Sequence, residues 1–244
     1  MFIPRIYQAC PLACHEAVEL TEATHHYLMS VLRLSAGDPI ILFNGEGGEY
    51  HGSYCPSKKK SQAQLHRYEN PQTEASLPIV LVQSLARGDR MDFVIQKATE
   101  LGVTEIVIII PKRSQVKLDK NRADNRLSHW QKIAISASEQ SGRTHLPLIN
   151  APCDFSQWLK KPFTGTSMCF QPHSQQNLRT FFSSSQPPAP IRIAIGPESG
   201  WDPQEHEQLL AHGFTSLHLG PRILRTETAA ITAISLVQGL WGDL

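Results

Sequence analysis

Close to the C-terminal end, the stretch LGPRILRTETAA (residues 219–230) sets Arg222, Arg225 and Glu227 within six residues of one another. A guanidinium is charged at any working pH and donates in a planar fork, so it suits a phosphate or a developing oxyanion. A carboxylate beside it can take up a proton, or it can simply pair with the cation. Glu227 also opens an alanine-rich apolar run that reads as a buried helix. There a negative charge suits the helix dipole, and Thr226 is a candidate N-cap. The chemistry and the structural alternatives therefore meet at one helix mouth.

The elements that must position these groups are legible as texture. After the polar, Pro-containing stretch ENPQTEASLP (69–78), which reads as a linker, the chain alternates buried strands with helices. PIVLVQSL and EIVIIIP are continuous apolar runs of the kind buried on both faces of a parallel sheet. MDFVIQKATELG and DNRLSHWQKIAISASEQSG read as helices stopped by glycine. TSMCFQP, IRIAIGP and TSLHLGP follow as strands, with helices at about 174–182 and 202–212, Pro203 near the start of the second, and a Pro/Ser-rich loop at 183–190. An α/β domain with a mostly parallel sheet results. Ligands of such sheets sit beyond the carboxyl ends of the strands. That favours Gln171–His173, Gly196–Trp201 and Leu219–Arg225, where glycine admits the backbone close to a ligand and proline stiffens the loop.

Residues 1 to about 70 read as short strands. DPIILFNGEGGEYHGSYC alternates around a Gly-rich turn and predicts a hairpin. Gly45, Gly47 and Gly48 do not make a dinucleotide loop, because Tyr50 stands where the third glycine belongs and no helix pattern follows. A short helix is expected over 22–33, with Tyr27, Leu28, Val31 and Leu32 on one face. The domains expected are thus 1–72, β-barrel-like, and 76–244.

The 244 residues suffice for a sizeable core, and 41% hydrophobic with 18% charged residues is ordinary for a globular protein. No stretch of membrane-spanning length is apolar, and no signal-peptide pattern opens the chain. Five cysteines without a CxxC pair point to a reduced, cytoplasmic setting, and no metal-ligand spacing is present. The net charge of +1 hides a local excess: residues 112–143 carry eight basic groups against three acidic ones. Arg113, Lys117, Arg122 and Arg143 of this stretch are candidates for gripping phosphates, the alternative being a solvated helix face.

IGPESGW followed by LGPRILRTETAA, with ELGVTEI and EQSGR…P upstream and RIY at the start, strongly resembles the RsmE family of the SPOUT methyltransferase superfamily. The likeness spans essentially the whole chain. It implies a C-terminal SPOUT-type domain with a parallel sheet and a deep trefoil knot, plus a small N-terminal PUA-like β-barrel domain that binds RNA. It implies S-adenosylmethionine as methyl donor, released as S-adenosylhomocysteine, without a metal. The substrate implied is a uridine of 16S rRNA within the 30S subunit, methylated at N3, and the enzyme implied is a homodimer. Two positions depart from the family: Ser199 replaces the first glycine of the family's Gly-Gly, and Gln171 stands where a histidine precedes Pro172.

On this resemblance, Gln171, Gly196, Pro197, Glu198, Gly200, Leu219, Gly220, Ile223 and Leu224 hold the cofactor, mainly by backbone, with Thr226 and Thr228 as polar additions. Loss of the N3 proton leaves negative charge on the flanking carbonyl oxygens, a role for Arg225 or Arg222, while Glu227 and Glu198 are proton acceptors. Two other functions fit the same fold: a non-catalytic RNA-binding protein, and a methyltransferase of tRNA ribose 2′-OH, which needs no N3 deprotonation.

Overall fold

The computed structural model describes residues 3–57, 60–112, 120–182 and 190–244. The chain falls into two units. One holds the residues up to Glu74 together with Ser138–Leu146, and the other Ala75–Ala137 with Pro147–Leu244.

In the first unit β1 (Arg5–Tyr7), β2 (Ala17–Glu19), β3 (Pro39–Phe43), β4 (Glu49–Cys55) and β5 (Gln62–Glu69) form one sheet in the order β1-β3-β4-β5-β2. β1 lies parallel to β3 and the other pairs are antiparallel, with the Gly-rich turn joining β3 to β4 as expected. The outer strands β1 and β2 do not pair with each other, yet Ile6 and Val18 share one apolar cluster with Leu28, Tyr54 and Leu65. The sheet therefore curls around its own core. The helix expected over 22–33 is shorter than predicted. α1 (Glu22–His26) is N-capped by Thr21 and passes into a π-turn over Tyr27–Val31. The wider turn shifts the 3.6-residue stripe, so Leu28 is buried while Tyr27 and Val31 are 42% and 60% exposed.

Arg143 belongs to this unit and corrects an expectation. Rather than facing phosphates, it is 3% exposed, with Nη2 3.0 Å and Nε 3.1 Å from Glu74 Oε2. Glu74 Oε1 accepts the backbone N–H groups of Thr144 and His145 at 2.7 and 2.9 Å. Burial pushes the Glu74 carboxyl up, but these N–H groups and the guanidinium outweigh it and hold the group below the ordinary glutamate value. Arg5, the arginine of RIY, is likewise structural. Its guanidinium donates to the carbonyls of Ser138, Glu139 and Arg143 at 2.8, 3.1 and 3.2 Å, and its Nε pairs with Glu49 at 2.9 Å.

The second unit is built on eight parallel strands: β6 (Ile79–Ser84), β7 (Glu105–Ile110), β8 (Leu148–Ile149), β9 (Cys153–Asp154), β10 (Thr166–Phe170), β11 (Gln176–Asn177), β12 (Ile191–Ile195) and β13 (Phe214–His218). The order is β11-β13-β10-β12-β6-β7-β8, with β9 beside the end of β7. Between the strands run α2 (Asp89–Glu100), α3 (Lys120–Ser141, its last four residues counted with the first unit), α4 (Phe155–Leu159), α5 (Leu178–Phe182) and α6 (Pro203–Ala211), and α7 (Thr226–Trp241) follows β13. Pro203 is the first residue of α6, as expected, and Asp202 with Glu205 closes a capping box there.

The sheet has an apolar cluster on each face. Ile79, Leu81, Ile193 and Ile195 point to the one shared with Met91, Val94 and Ile95 of α2 and Ala230, Ala233 and Ile234 of α7. Val82, Ala194 and Cys169 point to the one holding Phe155, Trp158, Trp201 and Phe214. The buried positions of α2 recur at helical spacing, and alanines let α2 and α7 approach closely.

Candidate active site

β13, β10 and β12 are neighbours and run the same way, so their carboxyl ends release three loops at one edge of the sheet. These are the three segments favoured from the sequence. Together they enclose a cavity of about 300 Å³, within the range of small-molecule sites.

Local chemistry fixes each loop. After β12, Gly200 N–H closes a turn onto Pro197 O at 2.8 Å, with Gly200 at φ +73° in the left-handed region. The adjoining Gly196 lies under the Trp201 indole, where a Cβ would come within 3.1 Å of the ring. After β13, Gly220 takes φ +105°, and its N–H donates to His218 Nδ1 at 3.1 Å. After β10, Gln171 N–H holds to Leu217 O at 2.9 Å.

The α7 mouth differs from expectation. Arg225 is the N-cap residue and Thr226 the first residue of the helix. The Thr226 hydroxyl is buried and used elsewhere: it donates to Gly196 O and accepts from Gln83 Nε2, both at 2.9 Å. Gln83 is the penultimate residue of the neighbouring strand β6 and also donates to Ser84 O at 3.0 Å. A buried relay thus ties β6, the β12 loop and α7 beneath the cavity.

Of the expected cofactor residues, Gln171, Gly196, Pro197, Glu198, Gly200, Leu219, Gly220, Ile223, Leu224 and Thr226 all line the cavity. Thr228 does not. It lines an adjoining, more open cavity of about 720 Å³, together with Asp89, Arg90, Phe93, Ile223, Leu224, Arg225 and Glu227. Ser199, where the family has glycine, is exposed and takes no part in the wall. Two buried polar atoms of the wall have no partner among the described residues, Gln171 Oε1 and Trp201 Nε1. An unpartnered buried polar atom costs about 1–3 kcal/mol, which a ligand N–H at one and a ligand acceptor at the other would relieve.

Arg222 and Arg225 are exposed, and neither forms an ion pair with Glu227 among the described residues. The residue that does approach Glu227 is Arg90, which the sequence reading missed. Its Nη1 donates to Glu198 Oε1 at 3.2 Å, while its Nε stands 3.9 Å from Glu227 Oε1, too far for a hydrogen bond. Glu227 Oε2 is buried and without a partner. Pro172 and Trp201 of the favoured segments also line the wall, and Phe170, Ile195 and Ala229 complete it; these last three were missed, though the apolar ends of predicted strands were a signal for Phe170 and Ile195.

Of the candidate phosphate-gripping residues, Arg122 lies exposed in α3, and Arg113 and Lys117 lie outside the described residues. In the first unit Glu49, His51 and Glu69 bring ligand-type atoms together on β4 and β5, a cluster that cross-strand register hides from sequence spacing. Arg5 pairs with Glu49 at 2.9 Å and Arg67 with Glu69 at 2.8 Å, so these carboxylates already have cations. Among the described residues no helix is long and apolar enough to cross a membrane.

Residues 73–238 match the sequence model of an RNA methyltransferase domain, and residues 20–64 that of an RNA methyltransferase PUA domain. Ribosomal RNA small subunit methyltransferase E of Buchnera aphidicola from Acyrthosiphon pisum is 32% identical, covering 99% of this chain and 95% of that protein. The protein of the same name from Synechocystis is 35% identical over 91% of this chain and 73% of its own length. Among solved structures, a Legionella pneumophila methyltransferase with bound S-adenosylmethionine has a TM-score of 0.94 at 34% identity, and both chains are fully covered. The Neisseria gonorrhoeae ribosomal RNA small subunit methyltransferase E, also bound to S-adenosylmethionine, has a TM-score of 0.91 at 36% identity with both chains fully covered. With both domain types matched in order and relatives aligned end to end, the chain belongs to the ribosomal RNA small subunit methyltransferase E family, a SPOUT-type methyltransferase domain joined to a PUA-like domain.

Proposed function

We propose that this protein uses S-adenosylmethionine to methylate N3 of a uridine in 16S rRNA, acting as a cytoplasmic homodimer on the 30S subunit. One observation carries the reading: the family's loops enclose a cavity whose wall keeps one buried acceptor, Gln171 Oε1, and one buried donor, Trp201 Nε1, without partners. A nucleoside offers both an N–H and acceptors and would satisfy the pair. Phe170, Ile195, Leu219, Leu224 and Ala229 would cover its apolar surface, and Gly196, Gly200 and Gly220 expose backbone to it. When bound, S-adenosylmethionine supplies a methyl group made electrophilic by its sulfonium.

The uracil belongs in the adjoining open cavity, where the chain supplies the remaining chemistry. Breaking the N3–H bond leaves negative charge spread over the flanking carbonyl oxygens, and that charge is lost again as N3 takes the methyl and the donor's S–C bond gives way. Arg225 borders both cavities, and its guanidinium would stabilise that charge electrostatically. Glu227 borders the outer cavity and offers its Oε1, the carboxylate oxygen that is not buried, to the departing proton. Arg222, on the inner cavity, is assigned to the cofactor or a phosphate. The PUA-like domain, residues 1–72, and Arg122 widen the RNA footprint. The deep trefoil knot of SPOUT enzymes belongs to the same reading. So does the dimer, for which Leu236 and Leu240 of α7, 43% and 50% exposed, are apolar positions that a second copy would cover.

The test is methyl transfer to purified 30S subunits, free 16S rRNA and tRNA, each followed by nucleoside mass spectrometry. The expected product is 3-methyluridine in 16S rRNA, greatest with subunits. A 2′-O-methylated nucleoside, or failure to bind S-adenosylmethionine in calorimetry, overturns the reading.

A further inference from the structure

The geometry assigns Arg90 as a positioning residue for proton removal, holding Glu227 toward the substrate cavity from an anchor on Glu198; this rests on the N3-methylation reading above. Arg90 comes from neither Gly-Pro loop. It lies in the first turn of α2, just past the carboxyl end of β6, and β6 is the neighbour of β12. It therefore reaches the site from a fourth strand and borders both the inner and the outer cavity.

Nothing in the stability of α2 asks for a cation there. The N-terminal turn of a helix disfavours positive charge, and its acidic residues Asp89 and Asp92 already supply what the dipole prefers. Nor does the pair with Glu198 stabilise the fold appreciably, since Arg90 and Glu198 are 43% and 40% exposed. What the pair does is fix a guanidinium whose Nε faces the far less exposed Glu227, at 12%. At 3.9 Å the cation attracts Glu227 without using up a hydrogen-bond site on it. Oε2 is buried, so Oε1, the oxygen that Arg90 faces without hydrogen-bonding it, is left to accept a proton from a substrate N–H in the outer cavity. On this view Glu198 is the anchor and Glu227 the acceptor, which separates two carboxylates that the sequence presents alike.

The experiment measures single-turnover methylation of 30S subunits at saturating S-adenosylmethionine for the parent, Arg90→Met, Arg90→Lys, Glu227→Gln and the Arg90→Met/Glu227→Gln double variant. Cofactor affinity by calorimetry and melting temperature are measured on each. Arg90→Met is expected to lower the rate about 10- to 100-fold, the scale of loss for a mispositioned catalytic group, with cofactor affinity within about twofold of the parent. Arg90→Lys restores part of the rate, because it returns the charge but not the planar fork. The double variant is expected to be no slower than Glu227→Gln alone, since Arg90 acts through Glu227. Additive losses, an unchanged Arg90→Met rate, or a rate loss matched by weaker cofactor binding or a lower melting temperature each overturn the assignment. A parent protein that makes no 3-methyluridine overturns the reaction and this role together. A parent that makes it, beside any of the other failures, overturns the role of Arg90 alone.

Discussion

Thr226 and Gly196 are joined by a 2.9 Å hydrogen bond in which the hydroxyl at the start of α7 donates to the first carbonyl past the β12 strand. The same oxygen accepts from Gln83 Nε2 at 2.9 Å, so one buried hydroxyl links the β12 loop, α7 and β6. Thr226→Val keeps the shape and deletes the hydroxyl, leaving the Gly196 carbonyl without this donor. The expected cost is about 1–3 kcal/mol of unfolding free energy. Urea titration checks it. Because the two loops lose their tether, S-adenosylmethionine affinity falls as well, whereas Thr226→Ser retains both properties.

Gly196→Ala tests the floor of the cavity. An added Cβ would meet the Trp201 ring at 3.1 Å, and the ring is 5% exposed and packed near Phe155, with centroids 5.8 Å apart. The indole has little room to yield, so the loop moves instead. We expect calorimetry to show S-adenosylmethionine affinity reduced by at least about tenfold, the cost of about 1.4 kcal/mol of misfit. A melting temperature that falls while affinity holds would place the strain away from the cavity.

Much of this site was legible because its chemistry sits where a parallel sheet releases its loops. IGPESGW and LGPRILRTET declare their strand ends through Gly-Pro, so the backbone positions could be named from local signals. Arg90 could not. Its place depends on β6 lying beside β12, a neighbour more than a hundred residues away, and nothing local encodes strand order. The same distance misled the reading of Arg143. A basic run suggests a phosphate grip, but the partner that buries this arginine, Glu74, lies 69 residues earlier in sequence. Thr226 failed as an N-cap for a different reason: the helix begins one residue sooner, and a buried carbonyl competes for its hydroxyl. Local propensity locates elements well, whereas side-chain roles are decided by contacts across the fold.

Glu74 makes the first unit sensitive to acid. Its carboxyl is held below the ordinary glutamate value of 4.5, so the folded state binds its proton more weakly than the unfolded state does. The stability it contributes is therefore present above that value and is lost as the pH falls through the lower folded value. Glu139, pushed up mainly by burial, acts in the opposite sense, so the two must be separated by substitution. Glu74→Gln should lower the urea midpoint at neutral pH, because Arg143 is left buried without its counter-charge. It should also shrink the difference between midpoints measured at neutral and at acid pH. An unchanged difference would show that the acid response arises elsewhere.

Arg225 and Arg222 can be told apart by where they stand. Both are exposed at the cavity rim, so replacing either with alanine should leave the melting temperature nearly unchanged. Of these two arginines, Arg225 alone borders both cavities, the place where charge on the uracil carbonyls must be met. Arg225→Ala is expected to lower the single-turnover rate about 100- to 1000-fold, the cost of removing one preorganised charge-stabilising donor. Its S-adenosylmethionine affinity should stay close to that of the parent. Arg222→Ala should weaken cofactor or subunit binding more than it slows transfer at saturation. Quenched-flow methylation of 30S subunits, with calorimetry on the same samples, measures both quantities. If the two variants exchange these behaviours, Arg222 is the group that faces the base, and the charge-stabilising role passes to it.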